Sequence, residues 1–129
     1  MTKANQTKIH LGIITLALTL GAEARAEFCA DRDFVTVDRP AVDVTFLGMG
    51  YSPRCLRVKS GTRVTLPASP VHPLQGVQAP GGPANPFRQS ADATSPRTRT
   101  LTAPGRYPYF CTRHGDAGGG GMAGEILAE

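Results

Sequence analysis

Three side chains with metal-binding chemistry lie close together near the end of the chain. Cys111 and His114 are separated by two residues, and Met122 follows after the seven-residue segment GDAGGGG. A second histidine, His72, lies upstream in the segment SPVHPLQG. Thiolate and thioether are soft ligands that suit Cu(I), whereas imidazole suits both oxidation states of copper. Two imidazoles, one thiolate and one weak axial thioether are the ligand set of a type 1 copper centre.

The local sequence favours convergence of these ligands. The segment RYPYF is predicted to be a strand that runs out at Cys111, and at a strand end the side chains of Cys111 and His114 can meet at one point. The glycines that follow let the loop fold back without Cβ clashes. A site that satisfies both oxidation states of copper moves little when an electron passes, and electron transfer through it is therefore fast.

Each of these residues also has an ordinary structural interpretation. His114 alone suits a surface position, Met122 suits the core of the last strand, and His72 suits a loop. His10 lies in the N-terminal leader and is given no role. The metal site is favoured by the combination of Cys-x-x-His-Gly, Gly-Met-x-Gly and His-Pro-Leu on one β-rich chain.

Residues 1–26 are typical of a secretory signal peptide. Lys3 and Lys8 belong to a basic n-region, LGIITLALTL forms an apolar core, and the A-x-A sequence at 24–26 is a cleavage site. A membrane anchor is the alternative, but the apolar core has about ten residues and a spanning helix needs about 18 or more. We therefore predict a copper-binding domain of residues 27–129 that is periplasmic or secreted and, after processing, not inserted in a membrane.

The predicted mature chain carries little net charge. Removal of residues 1–26 takes away three basic residues and one acidic residue, which lowers the net charge from +4 to +2. Lys and Arg form no run interleaved with aromatic residues, so we predict no nucleic-acid partner. Arg97, Arg99 and Arg113 are interpreted as solvated surface charges rather than as a steering patch for an acidic partner.

Short segments rich in Val, Thr, Phe and Tyr, separated by Pro, Gly and Ser, predict an all-β domain. The predicted strands are FVTVD, VDVTFLG, CLRVKSG, TRVTLPA, RTRTLTA, RYPYFC and GEILAE. About seven to eight strands in about 100 residues predict an antiparallel sandwich of two sheets, with a small barrel as the alternative. The Pro- and Gly-rich segment from Ala79 to Ser95 is predicted to be a long surface loop that Phe87 packs against the domain.

Three cysteines in an exported chain imply one disulfide and one remaining thiol. The predicted pair is Cys29, near the predicted mature N-terminus, and Cys55, at the start of a strand. This bridge would close a loop of about 26 residues and stabilise the fold by about 3 kcal/mol in the chain-entropy model. Two free thiols are the alternative, which is unfavourable in an oxidising compartment. The pairing leaves Cys111 for the metal site.

The pattern as a whole resembles the cupredoxins, the small blue copper proteins of the plastocyanin and azurin group. YSPRCLRVKSGTRVTL resembles their strand pair, PGRYPYFCTRHG their approach to the cysteine ligand, and GMAGEI their final strand. The resemblance covers essentially the whole predicted mature chain. It implies a Greek-key β-sandwich with one copper ion at one end, held by His72, Cys111, His114 and Met122. It also implies that electrons pass through the exposed ring edge of His114 within an apolar patch.

Two features depart from the cupredoxin pattern. The interval between His114 and Met122 is longer than in plastocyanins, which leaves a backbone carbonyl, or no axial ligand, as alternatives to Met122. Pro73 stands where family members usually carry an asparagine whose backbone N–H points at the cysteine sulfur, and proline has no N–H. Hydrogen bonds to the sulfur tune the metal potential. We therefore predict that the Cys111 thiolate is less stabilised here and that the reduction potential is lowered.

Three functional classes follow from these residues. The leading one is a monomeric electron carrier, not an enzyme, that shuttles single electrons between transient redox partner proteins. The second is a copper-binding or copper-delivery protein, although such proteins usually carry clusters of Met or His and this chain has only Met49 and Met122 after the leader. The third is an enzyme, either a cysteine hydrolase oriented by Asp116 or a zinc hydrolase with an open position beside the same histidines and cysteine.

Overall fold

The computed structural model describes residues 28–129, and the predicted signal peptide lies outside this range. Within it the chain forms ten β-strands and one turn of 3-10 helix at Asp31–Asp33. The strands are β1 (Val35–Thr36), β2 (Ala41–Asp43), β3 (Thr45–Leu47), β4 (Gly50–Ser52), β5 (Cys55–Val58), β6 (Thr62–Leu66), β7 (Leu74–Gly76), β8 (Arg97–Leu101), β9 (Gly105–Gly115) and β10 (Gly121–Ala128). None of the helices in residues 28–129 is long and apolar enough to cross a membrane.

The strands form three sheets. The largest has the order β1-β5-β10-β9-β7, the second has the order β2-β6-β8, and β3 pairs with β4 alone. The predicted all-β class is confirmed, but the pairing is not purely antiparallel. Strand β5 is parallel to both β1 and β10, and β2 is parallel to β6. These parallel pairs join strands that are distant in sequence, which local alternation of side chains cannot reveal.

The core follows from the alternation of apolar and polar residues along the strands. In β6, Thr62, Val64 and Leu66 are buried while Arg63 faces outward. Strand β5 presents Leu56 and Val58 to the same interior. Full burial of an aliphatic side chain stabilises the fold by about 1.5 to 3 kcal/mol. The apolar faces of β5 and β6 therefore meet in one core.

The structure divides or adds strands at three places. The predicted strand VDVTFLG is split at Val44, because its first half pairs with β6 and its second half pairs with β4. Strands β4 and β7 were not predicted. Each has three residues and contains a glycine, which is too short and too irregular for a periodic signal.

The segment from Ala79 to Ser95 contains no named strand, in agreement with the prediction of a long loop. The Phe87 side chain is fully buried in the core and fixes the loop to the domain, also as predicted. The buried Asn85 side-chain amide donates to the carbonyls of Val77 and Pro108, each at 2.8 Å. The loop is therefore held down by one aromatic anchor and one buried amide.

The disulfide between Cys29 and Cys55 is present, with a Cα–Cα distance of 5.9 Å. It joins the segment that precedes β1 to the first residue of β5. Cys111 is the free cysteine of residues 28–129, and it is buried. The division of the three cysteines into one pair and one thiol agrees with the sequence analysis.

The three tyrosines provide a test of this packing. Burial raises the pKa of Tyr107 and raises those of Tyr51 and Tyr109 far above the ordinary value, with the charge of Cys111 as a further cause at Tyr51. The unfolded chain then loses these protons first, so the free energy of unfolding falls as the pH rises above about 10. Absorbance at 295 nm should show phenolate appearing only together with loss of the far-ultraviolet circular dichroism signal. Phenolate titrating near pH 10 (the usual pKa is about 10) in a protein that remains folded would contradict this packing.

Candidate metal centre

His72 is held in a tight turn just before β7. Its backbone N–H lies 3.1 Å from the Ser69 carbonyl oxygen and 3.0 Å from Ser69 Oγ, and the Ser69 N–H donates to the His72 carbonyl at 3.1 Å. Strand β7 then pairs with β9, with Leu74 opposite Cys111. The Thr112 N–H also donates to the Pro73 carbonyl at 3.0 Å. These backbone bonds bring the segment of His72 alongside the segment of Cys111.

The β9–β10 hairpin places the other predicted ligands. Strand β9 continues through His114 to Gly115, further than the predicted end at Cys111. Gly121 pairs with Gly115, but the next pair joins Ala123 to Phe110, and the register shifts between them. Residues 111–114 therefore lie opposite Met122 alone. This bulge is the local feature that puts Met122 across from the segment that carries Cys111 and His114.

Three of the predicted ligands are brought together. Cys111 Sγ lies 3.8 Å from His72 Nδ1 and 3.7 Å from His114 Nδ1, and the two Nδ1 atoms are 3.1 Å apart. His72, Cys111 and His114 are also the one group of His, Cys, Asp and Glu side chains within residues 28–129 that converges in a manner suited to a metal ion. Side chains that are far apart in sequence thus share one point in space.

The distances fit one metal ion bound at the centre of the three donors. The point equidistant from the two Nδ1 atoms and Sγ lies about 2 Å from each, which matches metal–nitrogen and metal–sulfur bonds of about 2.0 to 2.3 Å. His72, Cys111 and His114 would hold such an ion. Two imidazoles and one thiolate are the His₂Cys donor set of blue copper sites, and they would supply a one-electron Cu(I)/Cu(II) couple. The donor set therefore fits a single copper ion.

Burial differs between the three ligands. The Cys111 side chain has an exposed fraction of 0%, His72 is half-buried, and His114 is exposed. A buried thiolate is protected from oxidation, because that reaction requires access. An exposed imidazole connects the centre to the surface. The site is therefore closed on the sulfur side and open on the side of His114.

Aromatic rings that were not assigned to the site from the sequence support His72. The Phe46 ring lies 5.0 Å from the His72 ring, and Tyr51 lies 6.1 Å from Phe46. Tyr51 in turn packs edge-on against Tyr109 at 4.9 Å. Phe46 and Tyr51 face each other across the β3–β4 hairpin. In the sequence, this contact could have been found from the two aromatic residues that flank LGMG. They indicate a β-hairpin only if the second strand, β4, is recognised.

Met122 and Pro73, where the sequence departs from the cupredoxin pattern, also lie at the site. Met122 is buried within the same apolar cluster as Cys111, and it stays a predicted axial ligand. Pro73 is buried beside Cys111. Among the described residues, the groups within hydrogen-bonding reach of Cys111 Sγ are the two imidazoles, and no backbone N–H donates to it. The sulfur therefore has no N–H donor of the kind that the resemblance leads one to expect.

Solved structures share this arrangement of strands. A copper-containing nitrite reductase from Thermus scotoductus SA-01 matches 76% of this chain with a TM-score of 0.54 and 20% identity. The pseudoazurin of Methylobacterium extorquens AM1 matches 68% of this chain and 74% of its own, with a TM-score of 0.50 and 18% identity. The chain has the cupredoxin fold. The resemblance noted in the sequence is thus confirmed at the level of the fold.

The first of these neighbours is a much longer protein. The chain spans only 28% of the length of the nitrite reductase chain. No protein-family model matches the sequence, and no curated protein matches it either. The function must therefore be argued from the side chains of the site.

The thiolate can be tested directly. Replacement of Cys111 by Ala should abolish any intense visible charge-transfer band of the copper-loaded protein and weaken copper binding by more than about 100-fold, since loss of an outer partner alone costs about 10- to 100-fold. The matched control is Thr112→Ala, which changes the next residue but removes no donor. Absorption spectra and competition with a chelator measure both effects. Equal copper affinity in the Cys111 and Thr112 variants would exclude the sulfur as a ligand.

Proposed function

We propose that this protein is a blue copper electron carrier, with one copper ion bound by His72, Cys111 and His114 and by Met122 as a weak axial ligand. The observation that supports this most strongly is the convergence of two imidazole nitrogens and one sulfur to within 3.8 Å of one another. When bound, the copper ion supplies a one-electron Cu(I)/Cu(II) couple. The other properties of the site come from the chain itself.

The fold keeps the ligands in place while an electron passes. His72 is fixed by the Ser69 turn and by the Phe46 ring, and Cys111 lies in a strand with neighbours on both sides. Ligands held by a packed framework need little rearrangement between oxidation states. The exposed ring of His114 is the route by which the electron enters and leaves.

The surface near the site suits brief contacts with another protein. Leu47, Met49 and Val71 have exposed fractions of 71%, 59% and 58%. Val71 adjoins His72 in the chain, and Leu47 adjoins Phe46, whose ring packs on His72. A small apolar surface of this kind fits the small interfaces of electron-transfer encounters. We propose transient redox partner proteins, a periplasmic or secreted location and a monomeric state.

The other functional classes receive less support. Delivery of copper would favour a loosely held ion, whereas Cys111 and Met122 are buried. A zinc hydrolase would need an open fourth position for water, whereas the buried Met122 lies across from the segment that carries Cys111 and His114. The Asp116 carboxylate accepts hydrogen bonds from the N–H groups of Gly118 and Gly120, so it serves the turn rather than a histidine.

The test of the proposal is a titration of the purified protein with Cu(II), followed by visible and paramagnetic resonance spectra and by stopped-flow electron exchange with a small redox reagent. An electron carrier should show one copper per chain, an intense blue band, narrow copper hyperfine splitting and rapid exchange. Slow exchange with ready release of copper to a chelator would favour copper delivery. A colourless protein that binds zinc tightly would exclude the carrier.

Pro73 offers a test of the electronic environment of the sulfur. Replacement of Pro73 by Asn restores a backbone N–H beside Cys111 and should raise the reduction potential, because a hydrogen bond to the thiolate weakens its donation to Cu(II). Pro70→Asn is the matched control, since Pro70 lies in the same turn but is exposed. Voltammetry of the copper-loaded proteins measures the difference. An unchanged or lower potential for Pro73→Asn relative to the control would refute this explanation.

A further inference from the structure

We infer that Phe28 and Arg54 are positioning residues for the metal site, because Phe28 packs on the tip of the β9–β10 hairpin and Arg54 links the Phe28 carbonyl to the residue after Met122. The hairpin tip is defined here as residues 116–120, which join His114 to Met122. The inference rests on the proposed function only in its last step, where the hairpin tip fixes an axial ligand. Its first step, that Phe28 holds the hairpin tip, concerns the protein with or without copper.

The hairpin tip is a compact turn rather than a loose loop. The Asp116 N–H donates to the Gly120 carbonyl at 3.0 Å, and the Gly119 N–H donates to the Asp116 carbonyl at 3.1 Å. Asp116 Oδ1 accepts further hydrogen bonds from the Gly118 N–H at 2.8 Å and the Gly120 N–H at 3.1 Å. Four amides therefore have hydrogen-bonded partners within the turn, and displacement of one side of the turn moves the other.

Phe28 packs directly on this turn. It has an exposed fraction of only 4%. A Cβ atom placed on Gly119 would lie 3.3 Å from Cα, Cγ and Cδ2 of Phe28, tighter than ordinary van der Waals contact. Gly119 also has a φ of +91°, a conformation that favours glycine. Only a glycine at position 119 lets the Phe28 ring approach the hairpin tip this closely.

Arg54 forms a second link, between Phe28 and the part of β10 that follows Met122. Its Nη2 donates to the Phe28 carbonyl at 2.7 Å, and its Nε donates to the Ala123 carbonyl at 3.0 Å. Ala123 is the residue directly after Met122. One guanidinium therefore binds the carbonyl of Phe28 and a carbonyl next to the predicted axial ligand, at fixed spacing.

The disulfide completes a closed frame around these contacts. Cys29 follows Phe28, Cys55 follows Arg54, and the two cysteines are bonded to each other. Strand β10 is anchored to the same place, since Glu125 pairs with Cys55 and its N–H donates to the Arg54 carbonyl at 3.0 Å. Phe28 is thus held in place covalently, and the hairpin tip packs against it.

The role of this frame is to fix Met122 relative to Cys111 and His114. The hairpin tip begins two residues after His114 and ends two residues before Met122. The position of the tip therefore affects where Met122 lies relative to residues 111–114. Loss of the Phe28 ring would free the turn, and the thioether would then lose its defined distance from the thiolate. Outer partners of metal ligands affect binding in this way, typically by about 10- to 100-fold.

Phe28→Ala and Phe34→Ala form a matched pair of test variants. Both remove a phenyl ring from the segment before β5, but Phe34 packs over the guanidinium groups of Arg57 and Arg106, and Arg106 lies near the start of β9. Phe28→Leu keeps an apolar side chain and serves if the alanine variant does not fold. Met122→Leu gives the reference spectrum for a site without the thioether.

Two measurements separate this inference from the proposed function. Amide hydrogen exchange of metal-free protein should be about tenfold or more faster at residues 116–120 in Phe28→Ala than in Phe34→Ala at matched stability. With copper bound, the band ratio and hyperfine splitting of Phe28→Ala should shift towards those of Met122→Leu, whereas Phe34→Ala should keep the wild-type spectrum. Phe28→Leu should fall between Phe28→Ala and the wild type.

Each other result has a defined meaning. Equal exchange at the hairpin tip in the two alanine variants would overturn the inference, whether or not the protein is blue. Faster exchange with an unchanged copper spectrum would overturn the step from the hairpin tip to Met122. A colourless wild-type protein would exclude the proposed function, and the exchange rates alone would then decide whether Phe28 holds the turn.

Discussion

The structure depends on one constraint: two imidazole nitrogens and one sulfur from separate parts of the chain must be held within 3.8 Å of one another. Polar atoms placed this close in a partly buried site are costly unless each has a partner. The three donors lie within hydrogen-bonding distance of one another, and a bound metal ion would give each of them a partner. The framework that enforces the approach is the pairing of β7 with β9, which sets the segment of His72 beside Cys111. The chemistry of the site is therefore a consequence of strand register.

The same framework buries the sulfur of Cys111 and leaves the ring of His114 exposed to solvent. Cys111 is fully buried and pairs with Leu74 of β7, while His114 lies in the last exposed part of β9, beyond the neighbouring strand β7. Because the strand continues past Cys111, one element carries a buried and an exposed candidate ligand only three residues apart. A loop could not hold this gradient of burial as firmly, since loops have fewer packed contacts.

The predictability of these features follows the range of the interactions that create them. The convergence of His72, Cys111 and His114 was predicted from residue type and spacing, and the all-β class from local alternation. Strand β7 and the parallel neighbours of β5 were not, because short strands and long-range pairing leave no local period. Phe28 was not assigned a role either. Its contact with Gly119 joins residues at opposite ends of the domain, and neither residue type signals the other.

The long interval between His114 and Met122 is accommodated by one additional hairpin pair and a shift in register. The added residues extend the hairpin by the pair of Gly115 with Gly121, and Met122 still lies opposite the segment of Cys111. A Cβ on either of these glycines would collide with the facing backbone, which explains why glycine occupies both positions. An extended hairpin projects further from the sheet and loses the support of neighbouring strands. Packing of the hairpin tip on Phe28 supplies that support, so the longer interval and the anchored N-terminal segment are two parts of one structural solution.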